Sequence, residues 1–205
     1  EERGAFGTLD FSAFQLKPAD RAAAEKRLAA RATQKTGVND ELFAFVRPET
    51  GLHLLRGGGT NSETLLARLN GAHVAPRLFP SGKRVLYHSL RGGVPGIWSI
   101  DPEEKKENRV CDGRQANISK NGDSIVFVRD GAVLERTLAS GQERTLLQKA
   151  EKESTAFPDY LPNGGVLCVV NQRALRILPP NGGEQVTLAE GEIASAPRAS
   201  PDGRW

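Results

Sequence analysis

Ala75-Pro76-Arg77-Leu78-Phe79-Pro80-Ser81-Gly82-Lys83-Arg84-Val85-Leu86-Tyr87 is the stretch that decides the fold. Pro80 fixes φ at the second position of a turn, Ser81 and Gly82 close it, and Val85-Leu86-Tyr87 follows as a short strand. The same turn returns as Ser119-Lys120-Asn121-Gly122, Leu161-Pro162-Asn163-Gly164 and Ser200-Pro201-Asp202-Gly203. The four glycines are separated by 40, 42 and 39 residues. Ile125-Val126-Phe127 and Leu167-Cys168-Val169 are the strands after the second and third turns. Counting 42 residues back from Gly82 reaches Asp40, where Leu42-Phe43-Ala44-Phe45-Val46 fits the same strand.

Further strands fill each interval. Ile97-Trp98-Ser99-Ile100, Val133 to Leu138 and Leu175-Arg176-Ile177-Leu178 each run into a polar turn. A last strand closes the unit, as in Arg144-Thr145-Leu146-Leu147 and Gln185-Val186-Thr187-Leu188. Four strands in about forty residues make one blade of a β-propeller. The expected fold is therefore all-β, with four-stranded antiparallel blades in units near 38–73, 74–114, 115–153 and 154–194 and an opening strand at 195–205. That is about four blades, either closed into a ring by the last strand or forming part of a larger propeller. An open arc would leave strand edges for a second chain or segment to cover.

The repeat resembles that of the TolB-like propellers, relatives of the WD repeat, whose pattern reads Pro-x-Trp-Ser-Pro-Asp-Gly-Lys-x-Ile-x-Phe. Ala196 to Trp205 and Ala75 to Tyr87 are the nearest copies, whereas the copy at Gly122 lacks both prolines and that at Asp40 lacks the glycine. The resemblance covers residues 38–205. It implies a propeller that serves as a docking surface for a protein partner, or as the accessory domain of a larger enzyme such as a peptidase or a multi-domain redox protein. It also implies a periplasmic or extracellular location. The absence of Met, including at position 1, fits removal of a leader. The Ser200–Trp205 segment reads as a turn running into a strand, so the repeat is expected to continue past it.

Composition narrows the function classes. The 205 residues carry 28 Lys and Arg against 25 Asp and Glu, a net charge of only +3. The charges are mixed, as in Glu103-Glu104-Lys105-Lys106-Glu107-Asn108-Arg109, which reads as a solvated loop; no nucleic-acid partner is expected. No run approaches the ~18 apolar residues of a membrane helix. Cys111 and Cys168 lie in no Cys-x-x-Cys pattern and read as two buried free thiols, with a single disulfide between them as the alternative. With 22 Gly and 12 Pro, much of the chain is turn.

Residues 1–37 stand outside the repeat. Arg21 to Ala32 reads as a short helix after Pro18, so a helical N-terminal arm is expected. Phe6, Phe11 and Phe14 precede it, as anchors against the propeller rim or a partner-binding tail.

Chemistry is sparse. No Gly-x-Ser-x-Gly elbow, phosphate-cradling glycine loop, metal-spaced histidine pair or calcium loop is present. His53, His73 and His88 are expected in surface or loop roles, and no cofactor or metal is implied. The chain is expected to be a binding module and not itself an enzyme. The candidate site is a polar column. Five residues before each turn glycine stand Arg77, Asn117, Asp159 and Arg198; one position later stand Leu78, Ile118, Tyr160 and Ala199. Strand alternation sends the two sets to opposite faces, the apolar one between blades and the polar one toward the central tunnel. The polar column is a solvated lining, or a site for a small anion or a partner's loop.

Overall fold

The computed structural model describes residues 42–47, 50–56, 62–68, 75–151, 153–191 and 196–200. All of them fall in the compact unit Glu41–Trp205. The N-terminal arm with Phe6, Phe11 and Phe14, His73, and residues 201–205 lie outside the described residues.

Among the described residues, fifteen strands form four antiparallel sheets in chain order. The first sheet has three described strands, β1 (Leu42–Arg47), β2 (Gly51–Arg56) and β3 (Ser62–Ala67). The second runs β4 (Arg77–Leu78), β5 (Val85–Ser89), β6 (Gly96–Asp101) and β7 (Lys106–Asp112). The third runs β8 (Arg114–Ile118), β9 (Ser124–Arg129), β10 (Ala132–Thr137) and β11 (Glu143–Leu147). The fourth runs β12 (Thr155–Tyr160), β13 (Val166–Val170), β14 (Ala174–Leu178) and β15 (Val186–Glu190). Each strand pairs with its sequence neighbour, which is the up-and-down order of a propeller blade.

The repeated turn is built as the residues require. The Gly82, Gly122 and Gly164 amides donate to the carbonyls of Phe79, Ser119 and Leu161 at 2.8–2.9 Å. Each of these glycines has φ between 69° and 84°, a left-handed backbone that a side chain resists.

The core lies between blades. Val85, Tyr87 and Ile100 of the second blade pack on Leu52, Leu54 and Leu66 of the first. Leu86 and Ile97 turn the other way, onto Ile125 and Phe127 of the third. Val126 and Val133 of the third meet Val166, Cys168 and Val170 of the fourth. A middle strand is thus buried on both faces, so its apolar run is continuous instead of alternating. Three of the four residues one place after the polar column, Leu78, Ile118 and Tyr160, pack against these inter-blade clusters, and Ala199 belongs to none of them. The two ends of the stack are different, with Phe43 50%, Val186 53% and Leu188 60% exposed.

Two readings of the sequence are corrected. The charged stretch after Glu103 is not all loop, because Lys106–Asp112 forms β7 against β6. Its charges serve the blade: Glu107 accepts a hydrogen bond from the Tyr87 hydroxyl at 2.9 Å and an ion pair from Arg91 at 2.7 Å. An outer strand with one wet face can be this polar and still pair through its backbone. His53 is not a surface histidine either. It sits in β2 at 7% exposure, with Nε2 2.6 Å from the Thr50 hydroxyl and Nδ1 2.7 Å from Glu63. Among the described residues there is no α-helix, only a short 3-10 turn at Arg91–Gly93.

Candidate functional site

The polar column comes together across successive repeats, three of its side chains in one hydrogen-bonded group and Asp159 beside them. Arg77 is in β4, Asn117 in β8 and Asp159 in β12, while Arg198 lies in the segment after β15. Arg77 Nε donates to Asn117 Oδ1 at 2.7 Å, and Arg198 donates to the same oxygen at 2.8 Å. The other half of the Asn117 amide donates to the Pro158 carbonyl at 2.6 Å. Arg198 also lies 3.6 Å from Asp159, whose carboxylate receives the Ala199 amide at 3.4 Å. Asn117 is only 7% exposed, so a single buried amide ties the second, third and fourth blades to the segment that follows.

Burial shapes the charges. It pushes the Asp159 carboxyl up, against the pull of the Ala199 and Tyr160 amides, and it pushes the Arg198 guanidinium down. The Cys168 thiol, in the core, is pushed up to about 11 and the half-buried Cys111 thiol up to about 12 by the same desolvation. Neither is placed for nucleophilic use.

Beside the column opens a cleft of about 660 Å³. Its lining includes Arg77, Arg198 and Asn117, together with Arg114, Gln115 and Phe157, which the sequence reading passed over. Leu90, Pro95, Ala116 and Pro197 give it apolar walls, and His88 is a further lining residue. Among its described lining residues are three arginines and no carboxylate. The missed residues had a signal. Gln115, Phe157 and Ala196 stand two places before Asn117, Asp159 and Arg198, so they form a second column in step with the first.

That second column has an unusual backbone. Gln115, Phe157 and Ala196 have φ of 55°, 51° and 46°, the left-handed region, without being glycine. In β8 and β12 the register with the neighbouring strand shifts at this point, between Arg114 and Asn117 and between Ala156 and Asp159. These are β-bulges, which bend a strand and redirect its side chains. The Phe157 amide donates to Gln115 Oε1 at 3.1 Å, which links one bulge to the next.

The arrangement offers anion recognition more readily than catalysis. Three guanidiniums and mostly apolar walls can hold a charged group with an apolar body. Among the described residues, no three His, Cys, Asp or Glu side chains converge as a metal-holding group. No described helix is long and apolar enough to cross a membrane.

No protein-family model matches the chain. Among curated proteins, human Down syndrome critical region protein 9 is 40% identical over 65 residues, covering 29% of this chain and 39% of that protein. Solved structures are similar over far more of the chain. TolB from Acinetobacter baumannii matches with a TM-score of 0.62 at 16% identity, over 90% of this chain and 51% of its own. A TolB-type protein from Agrobacterium tumefaciens matches with a TM-score of 0.62 at 23% identity, over 79% of this chain and 67% of its own. The dihydro-haem d1 dehydrogenase NirN, in complex with DHE, gives 0.55 at 17% identity, over 94% of this chain and 50% of its own. The chain therefore spans about half the length of the Acinetobacter TolB. At such identities the likeness establishes the fold and nothing finer.

Proposed function

We propose, from the premise that the chain folds as a TolB-like β-propeller, that it is a non-catalytic binding module which docks a segment of a protein partner over the cleft beside Asn117. The observation that carries this reading is the cleft itself. About 660 Å³ of mostly apolar space opens beside a polar group assembled from consecutive repeats. Ligand sites combine apolar walls with a few placed polar groups in this way. The compartment that goes with the reading is the periplasm or the extracellular space.

A displayed library of random peptides, selected against the full chain, tests the proposal. Enriched peptides should lose binding to the Arg77→Gln/Arg198→Gln double variant while that variant still unfolds in one cooperative thermal transition. Enriched peptides that bind the variant unchanged, or no enrichment at all, would overturn it.

The other reading makes the chain the accessory propeller of a larger enzyme, of peptidase or redox type. It draws on the similarity to NirN over nearly the whole chain. A turnover by the isolated chain that one point substitution abolishes would sink the non-catalytic proposal outright.

A further inference from the structure

We propose that the cleft is a carboxylate site: Arg77 and Arg198 clamp an acidic group of the docked segment, and Arg114 steers it at the rim. This rests on the cleft being the docking site for a protein segment, and adds what that segment must carry.

Arg77 and Arg198 aim donors at one oxygen, Asn117 Oδ1, at 2.7 and 2.8 Å. That oxygen is neutral, and its two lone pairs are both taken. Two cations are thus held within a few ångströms of each other by an amide that cancels neither charge. Arg198 has Asp159 at 3.6 Å. Arg77 has only neutral acceptors among the described residues, Asn117 and the Pro76 carbonyl at 2.8 Å.

Five other described arginines meet carboxylates. Arg91 meets Glu107, Arg129 and Arg136 share Glu143, Arg144 meets Glu135, and Arg176 meets Glu153. A fold that pairs these arginines with carboxylates, yet gives Arg77 only neutral partners among the described residues and shares its amide with Arg198 at a cleft, leaves a position where an anion completes the arrangement. A carboxylate fits it, with one oxygen for each guanidinium. The apolar walls exclude water and strengthen such a pair.

The backbone points the same way. Non-glycine residues in the left-handed region are strained and concentrate at ligand clamps. Here three of them, Gln115, Phe157 and Ala196, recur at one position of successive repeats and line this cleft.

Benzoate, a carboxylate on an apolar body, is the first probe, and benzamide its neutral isostere. With the full chain labelled in nitrogen-15, millimolar benzoate should shift the Arg77 and Arg198 Nε–H resonances, and benzamide should not. Arg77→Gln should weaken benzoate about ten-fold, and Arg77→Lys, which keeps the charge without the fork, should restore only part of it. Arg84→Gln, outside the cleft, should change nothing.

The second arm uses the peptides selected above. Changing their Asp and Glu to Asn and Gln should weaken them about ten-fold or more. Equal shifts from benzoate and benzamide, or benzoate binding that survives Arg77→Gln, would overturn the inference. Selected peptides without acidic residues would overturn it too, while leaving the docking proposal standing. Arginine-dependent benzoate binding with no selected peptide would instead remove the docking proposal, and the inference with it, in favour of a free small carboxylate.

Discussion

At the scale of the residue, one glutamate carries a clear pH signature. Glu143 in β11 is paired with Arg129 of β9 and Arg136 of β10, so one carboxylate binds three strands of a blade. The Arg129 hydrogen bond holds its carboxyl below the usual 4.5, with Arg136 adding to the effect and partial burial opposing it. A carboxyl lowered by folding stabilises the fold above its unfolded value, and that contribution fades as pH falls through the folded one. Glu143→Gln should therefore lower Tm by about 2–4 °C at neutral pH. The gap should stay constant down to about pH 5 and close further into acid. Thermal melts of both proteins across pH check this; a gap that widens in acid would contradict the ion-pair account.

Residues also mark what the sequence made readable. The polar column was countable from the turn glycines because the strand between turn and column keeps its alternation. Arg114, Gln115 and Phe157 escaped because the bulges at Gln115 and Phe157 break that alternation, and nothing in a glutamine or phenylalanine announces a left-handed backbone.

At the scale of the element, the tightest joint is Gly113, between the outer strand β7 and the inner strand β8 of the next blade. Its φ is 138°, and a Cβ there would lie 2.6 Å from the Phe127 ring and 2.9 Å from the Val128 carbonyl. The ring could yield, but the carbonyl belongs to β9. Gly113→Ala should cost about 2 kcal/mol or more, a fall of about 4–8 °C in Tm. Gly92→Ala makes the comparison: φ is 76°, yet nothing lies within 4 Å, so only the backbone cost of about 1 kcal/mol applies. Equal losses from the two would show that the close approach is immaterial. Elements were legible where burial was two-sided, as in Ile125–Val128, and misread where one face was wet, as in β7. Charge on a strand's solvent face looks like charge in a loop until the partner strand is known.

At the scale of the molecule, the blades form a line of shared cores. Each of three clusters joins two consecutive blades, so each inner blade is supported from both sides. In such stacks stability is close to a sum over neighbours, and the ends are weakest. Amide hydrogen exchange should therefore be slowest in β9, whose Ile125 to Val128 are fully buried, and fast in β15, every residue of which is exposed. Exchange as slow in β15 as in β9 would mean that the fourth blade's outer edge is covered in solution.

The near-equal spacing of the turn glycines has a mechanical side. Blades follow one another along the chain, and β7 passes through Gly113 alone into β8 of the next blade. Tension applied along the polypeptide therefore meets them as links in series. A link that lets go frees the 40 or 42 residues between successive turn glycines. Fully drawn out, that is about 140 Å of thread. The molecule is thus graduated like a ruler, its slack released in almost identical steps, and Asn117 is the rivet through which a load on one link reaches its neighbours.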